Sequence, residues 1–407
     1  MGERVVVYLS AVFFMHVVDS QMLAFNQGVT RRGSYAAYLD VSHPEIEEFL
    51  NMRKESGGDI NRKCLNLHNG VNITNDFLKA IKNDEDWRLI DPKTKQPVKT
   101  INARSLWWQL INARAETGEP YLINIDTCNE HLPKSQKDLG LEIKQSNLCS
   151  EITLATNEER TAVCCLSSVN LEKFDEWKDN KLFISDLITM LDNVIQHFIE
   201  NIVDIEELGE YNANYKRFTN YIKEEKEGYQ KAAFSAYRER SIGLGAMGFH
   251  AYLQSKNVPF EGMEATGINY KLFKHINTRA TKATQDLADM RGSCPDAGSS
   301  NVRNVHLIAV APNASSSIIC GGTSPSIEPY RANIYTHKTL SGTYQVKNRY
   351  LDKVINKKKL SKKKKEKLWK EISANEGSIQ SIDIFTDNEK EVFKTASEIN
   401  QIWVVEH

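Results

Sequence analysis

The chain has 407 residues, 41% of them apolar and 26% charged, with a formal net charge of −1 at pH 7. That length supports a large core or two or three ordinary domains. The charge balance excludes a global electrostatic pull toward nucleic acid or anionic membrane. Seven cysteines, at 64, 128, 149, 164, 165, 294 and 320, form neither a CxxC pair nor the dense framework of a small secreted domain, so a reducing cytoplasm is expected.

In chain order, Val5 to Val18 (VVVYLSAVFFMHVV) is mostly apolar after Arg4 and loosely imitates the apolar core of a signal peptide. It is too short to cross a bilayer as a helix, carries His16 and is followed by no small-residue cleavage site, so it predicts a buried strand or helix. Tyr121-Leu-Ile-Asn-Ile, bounded by Gly118, Pro120 and polar residues, predicts a buried strand.

Residues 147–151 read Asn-Leu-Cys-Ser-Glu. In an extended backbone the side chains of Asn147, Cys149 and Glu151 project from one face. A thiol is the softest one-electron donor among side chains, a carboxylate accepts a proton, and an amide holds a hydroxyl without titrating. These roles suit radical chemistry on a polyhydroxylated substrate. Taken alone, the pentapeptide also fits a strand with a buried cysteine.

Farther along, Ile184, Leu187, Ile188, Leu191, Val194, Ile195, Phe198, Ile199 and Ile202 recur with helical spacing and predict a long amphipathic helix. The polar, Tyr-rich segment 206–240 is expected to cover the surface. Gly243-Leu-Gly-Ala-Met-Gly248 fits GxGxxG, the mark of a nicotinamide-dependent dehydrogenase, but polar Tyr237-Arg-Glu-Arg-Ser precedes it and no βαβ unit with a ribose-binding acid is evident. Its glycines are expected to permit close helix packing. Pro312-Asn-Ala-Ser-Ser-Ser317 is by itself a Ser-rich turn. Lys357–Lys367 (KKKLSKKKKEK) lacks interleaved aromatics and reads as a solvated helix rather than a nucleic-acid site. Thr386 to Glu389 is a capping-box signature, predicting a helix through Val392, Phe393, Ala396, Ile399 and Trp403. Alternating helix and strand signals indicate an α/β protein.

Five ordered stretches carry a more specific signal: AFNQGVTRRGSYAAYLDVSHPEIEEFL (24–50), TGEPYLINIDTCNEH (117–131), QSNLCSEI (145–152), RSIGLGAMGFHAYL (240–253) and APNASSSIICGGTSPSIEPYRANIYTHKTLSG (311–342). Together, over about residues 15–407, the chain resembles the large, catalytic subunit of class I ribonucleotide reductase. The resemblance implies a ten-stranded α/β barrel, present in part, with the active-site cysteine on a loop reaching into it. The implied reaction is reduction of ribonucleoside diphosphates to deoxyribonucleoside diphosphates, supplying DNA precursors.

Residue by residue, the resemblance makes Cys149 the transient thiyl radical that removes the ribose 3′ hydrogen. It makes Glu151 the base for the 3′-hydroxyl proton, and Asn147 the amide that hydrogen-bonds the sugar. Leu148 and Ser150 complete that substrate-binding segment. Cys164 matches one cysteine of the redox pair, and the adjacent Cys165 reads as a packing residue, although the two thiols could exchange roles. Pro312, Asn313, Ala314, Ser315 and Ser316 match the loop that holds the substrate diphosphate, whose small residues let N–H groups approach phosphate oxygens. Gly58, Asp59, Ile60, Asn61, Arg62, Lys63 and Cys64 match the loop through which an effector nucleotide changes substrate choice. Cys64 stands where some relatives place a base-contacting Arg.

The resemblance further implies a radical from a separate dimetal small subunit, nucleoside triphosphate effectors and a thioredoxin- or glutaredoxin-type reductant. Family members carry an N-terminal helical domain and one redox cysteine before this region. After it come further strands, relay tyrosines and a tail with two redox cysteines. Residues 1–14 therefore read as an atypical leader and 15–407 as a barrel incomplete at both ends. The expectation is a central piece of a divided catalytic subunit, such as an interrupted phage gene would yield, working with separately encoded N-terminal and C-terminal pieces in the cytoplasm without nucleic acid or membrane. The alternatives are an inactive interaction remnant of a broken reductase gene or, on the glycine motif alone, a dehydrogenase.

Overall fold

A computed structural model describes residues 10–27, 31–202, 228–339 and 341–407. Residues 1–9 of the expected leader and 206–227 of the expected surface segment lie outside the described residues. The chain divides into two compact units, Met1–Ala162 and Val163–His407.

The first unit is built on a three-stranded parallel sheet with His68–Ile73 at its centre, flanked by Ala36–Asp40 and Tyr121–Asn124. Parallel neighbours require crossovers. Here these contain the helices Ile46–Asn51, Asn75–Asn83 and Ala103–Thr117 and the antiparallel hairpin Asp86–Ile90/Pro97–Asn102. The central strand alternates. Val71 and Ile73 enter a core with Phe49, Leu50, Phe77, Leu89, Leu106 and Leu110, and Asn69 on the same side donates to the Phe49 carbonyl at 3.3 Å. His68, Gly70 and Asn72 fall on the opposite side. The strand expected at 121–125 is present, ending at Asn124, whose side chain caps the next helix by accepting from Thr127 N–H.

The apolar run near the N-terminus forms the helix Ala11–Ala24, but Phe14, Val17 and Leu23 are exposed, so its described part is not the buried element expected. It is anchored by Val12, fully buried in the core with Met15 and Val18 packed against it, and by buried Asp19, which accepts from the backbone N–H groups of Asn66 and Leu67 at 2.8 and 2.6 Å. No helix among the described residues is long and apolar enough to cross a membrane.

In the second unit, Cys165–Asn170 and Ile242–Met247 pair in parallel, and Ile308 extends the ladder beside Leu244. The predicted amphipathic helix is present as Phe183–Glu200; Ile184, Ile188, Leu191, Ile195 and Ile199 pack with Leu272, Ile276 and Leu287 of the helix Met263–Arg291. Each such side chain contributes about 1.5–3 kcal/mol on burial. Buried Asp192 ties this layer together, meeting Arg240 at 2.7 Å, Arg291 at 2.9 Å and the Asn304 amide at 3.1 Å. Burial opposes its ionisation, but the Arg240 and Arg303 charges hold its carboxyl below the usual range.

Three expectations are corrected in this unit, and that for the basic run is narrowed. Residues 228–239 of the supposed surface segment form a helix with Ala232, Ala233, Phe234 and Ala236 buried in the core. The glycine motif is itself a buried strand: a methyl at Gly243 would overlap Leu166, and one at Gly245 would overlap the Ala309 carbonyl. Its glycines thus admit neighbouring strands rather than helices. The basic run is the expected solvated helix only from Lys362: its first residue, Lys357, ends the helix Arg349–Lys357, and Ser361 caps the next, Lys362–Ala374, through Lys364 N–H, with Lys362, Lys363, Lys364, Glu366 and Lys367 exposed. The capping box at Thr386 is present, yet its helix ends at Val392 and Gln401–Glu406 is separate. Asn333 captures the Phe393 carbonyl at 2.7 Å and the Tyr330 carbonyl accepts from Ala396 N–H at 2.9 Å, drawing the chain out of the helix.

Candidate active site

Asn147–Glu151 is a turn rather than the extended segment expected. Ser150 adopts a left-handed conformation (φ 67°), uncommon for a residue with a side chain, and its N–H donates to the Asn147 carbonyl at 3.3 Å. The turn still gathers the predicted groups. The Asn147 amide donates to Glu151 Oε2 at 2.7 Å, and its Oδ1 accepts from Ile152 N–H at 3.1 Å. The Ser146 hydroxyl donates to the Ile152 carbonyl at 2.6 Å. Cys149 stands exposed at the crown.

Desolvation and, secondarily, the Glu151 charge push the Cys149 thiol up from its ordinary value. A nucleophilic cysteine needs the opposite shift. At neutral pH this side chain keeps its S–H, the form suited to hydrogen-atom transfer.

The sequence reading missed the residues that hold the turn. Asn129 brackets Ile143, donating to its carbonyl at 2.9 Å and accepting from its N–H at 2.8 Å. Asn72 donates to the Lys144 carbonyl at 2.9 Å, and the Tyr38 hydroxyl to the Asn147 carbonyl at 2.9 Å. The available signal was the concentration of polar and small residues, His68, Asn69, Gly70 and Asn72, in a strand whose only apolar residues are Val71 and Ile73. Beside it, buried Glu119 accepts from His68 Nδ1 and, at 3.0 Å, from Asn69 N–H, while the His68 ring stacks on Tyr121.

In the loop at 58–64, Gly57 and Gly58 take positive φ, Asp59 caps the short turn Ile60–Arg62, and Arg62 pairs with Glu48. Ile60 is exposed, but Lys63 and Cys64 are buried. Burial, with Asp19 adding and Arg53 opposing, pushes the Cys64 thiol to about 12. The Cys64 side chain therefore belongs to the core of this unit, while Ile60 and Arg62 of the same loop stay exposed.

In the second unit the two adjacent cysteines face opposite ways. Cys165 pairs in register with Ile242 and packs on the helix-covered core, where burial raises its thiol. Cys164 lies on the other side, where a methyl at Gly243 would sit 3.2 Å from its Sγ. That side also carries Leu166, 43% exposed, and Ser168, whose hydroxyl accepts from Asn313 Nδ2 at 2.9 Å. Asn313, at φ 54°, also donates to the Ala311 and Ala246 carbonyls and so fixes the start of the helix Ala314–Ile319. Ala314, Ser315 and Ser316 are exposed, and the N–H of Ser317 is the first to bond back, to the Asn313 carbonyl at 2.9 Å. The three preceding N–H groups have no intrahelical acceptor.

Comparison with known proteins defines the class. The family model "Ribonucleotide reductase, barrel domain" matches residues 10–301 and 296–407, and the chain belongs to the ribonucleotide reductase family. It is 42% identical to the ribonucleoside-diphosphate reductase large subunit of Invertebrate iridescent virus 3, over 96% of this chain and 67% of that protein. It is 45% identical to the putative large subunit of Frog virus 3, over 96% of this chain and 65% of that one. Among solved structures, the Actinobacillus ureae class Id ribonucleotide reductase alpha subunit matches with a TM-score of 0.76 and 30% identity, covering 97% of this chain and 72% of that chain. The chain thus has the α/β barrel-domain fold of that family and spans about two thirds of the length of these curated relatives.

Proposed function

We propose that this chain is the barrel portion of a ribonucleoside-diphosphate reductase catalytic subunit. Its Cys149 sulfur, as a transient radical, takes the 3′ hydrogen of the ribose and becomes S–H. Glu151 accepts the 3′-hydroxyl proton, and Asn147 orients that hydroxyl. Two thiols, Cys164 among them, become a disulfide as they give up two electrons and two protons: one proton leaves with the 2′-hydroxyl as water, the other ends as the new hydrogen on carbon 2′, and Glu151 returns its proton to the 3′ oxygen. At the end the 3′ hydrogen returns from Cys149 to carbon, regenerating the radical. Pro312–Ser316 bind the diphosphate through the unpaired N–H groups and hydroxyls at the helix start, and the loop Gly58–Cys64 responds to a nucleoside triphosphate effector.

The observation that carries this reading is the Asn147–Glu151 contact at 2.7 Å in the same turn as a thiol whose surroundings keep it protonated. The opposed faces of Cys164 and Cys165 support the assignment of Cys164. The dehydrogenase alternative loses its basis, because the GxGxxG glycines are occupied by neighbouring backbone and side chains.

In this reading the radical originates in a separate small subunit with a dimetal site, which supplies the oxidising equivalent for Cys149. A thioredoxin- or glutaredoxin-type protein restores the dithiol. Segments outside residues 1–407, in this polypeptide or in another, supply the second redox cysteine and the radical path. The complex works in the cytoplasm, that of the host if the chain is viral.

Cys149→Ser tests the proposal. Serine is nearly isosteric, but its O–H bond is too strong to yield a usable radical, so the complete complex should lose dCDP formation while the variant folds and assembles. Appreciable dCDP from the Ser variant would remove Cys149 from the radical role.

A further inference from the structure

Building on that reading, we propose that Tyr38 is a positioning residue, whose phenol holds the Cys149 turn in its reactive arrangement through the Asn147 carbonyl. Tyr38, Gly70 and Tyr121 stand in register across the parallel sheet. In-register residues of parallel strands point to the same side, here the one opposite Val71 and the core. Gly70 is what lets the phenol reach the turn, because a methyl at that position would overlap the Tyr38 ring. The ring therefore lies across the central strand, and its hydroxyl donates to the Asn147 carbonyl at 2.9 Å.

That carbonyl is the closing acceptor of the turn. Its other donor is the N–H of Ser150, at a longer 3.3 Å and from a residue in a left-handed conformation. Asn129 and Asn72 grip residues 143 and 144, upstream of the turn. Tyr38 grips its first residue, the one whose side chain holds both Glu151 and the Ile152 N–H. Burial pushes the phenol above its ordinary range, with Ser150 and Ser146 opposing, so it remains a donor at physiological pH. Losing the hydroxyl would leave the Cys149 and Glu151 side chains attached to a turn free to shift. The substrate's reacting atoms need near-attack distances, and a displacement of about 1 Å lowers rates by up to about 100-fold.

The test compares wild type, Tyr38→Phe and Gly70→Ala in the complete enzyme complex, with CDP as substrate. Tyr38→Phe should lower kcat by about 10- to 100-fold while KM for CDP changes by less than about twofold. Gly70→Ala, which retains the phenol but displaces its ring, should show the same split. The double variant should be no slower than the slower single variant, since both act through the same phenol. Circular dichroism of each variant establishes that it is folded, and if one fails to fold, the other carries the comparison. A wild-type kcat in a folded variant, or a KM that rises in parallel with the loss of kcat, overturns the role of Tyr38. A wild-type complex that forms no dCDP instead overturns the reductase reading itself.

Discussion

At the scale of single residues, the local environments sort thiols that composition alone leaves equivalent. Cys64 and Cys294 are buried and pushed to about 12, which makes them inert packing groups. Cys149 is exposed but kept protonated beside Glu151. Cys164 and Cys165 differ by the face they occupy, and this yields a prediction. Cys164→Ala should abolish sustained dCDP formation with a dithiol reductant, because the dithiol that delivers two electrons is lost. Cys165→Ala removes only a packing thiol and should retain turnover within about threefold, with stability reduced by about 1 kcal/mol, of the order of a deleted buried group. Multiple-turnover assays of the two variants decide the matter, and the reverse pattern would interchange their roles.

At the scale of elements, the glycines of the second unit separate close contacts from open ones. Gly245→Ala would drive a methyl into the Ala309 carbonyl and should cost about 1–3 kcal/mol by overpacking. Gly267, within the helix Met263–Arg291, has open space where a methyl would stand, so Gly267→Ala should stabilise by about 0.5–1 kcal/mol. Urea unfolding midpoints that fail to move in opposite directions would refute this account of the glycine strand. Much at this scale was legible in the sequence where the signal is local. The 183–200 helix follows from its apolar period, the 121–124 strand from its bounded apolar run, and the cap at Thr386 from two residues three apart. What escaped depends on distant partners: the Tyr38 and Asn72 bonds that shape the 147–151 turn, and the Asn333 and Tyr330 bonds that end the Thr386 helix. The break at Ser361 had a local capping signal, masked by the lysines on both sides.

At the scale of the whole molecule, the chemistry-bearing residues named by the family resemblance occupy structurally distinct kinds of position. Asn147, Cys149 and Glu151 lie on a turn clamped to the parallel sheet of the first unit. Cys164 and the Asn313–Ser316 helix start lie on one side of the paired strands of the second. Identity to viral large subunits over nearly the whole chain made the family legible from five ordered motifs, whereas buried Cys64 shows that a motif position does not by itself reveal where a side chain points. The central claim is that the Cys149 sulfur removes the ribose 3′ hydrogen. Its most direct measurement is competition between CDP and 3′-deuterated CDP for the complete complex, following the isotope ratio of the dCDP formed. Breaking the 3′ carbon–hydrogen bond predicts preferential consumption of the protium substrate, with dCDP enriched in protium at early conversion. A ratio of one, with dCDP still being formed, would contradict the account.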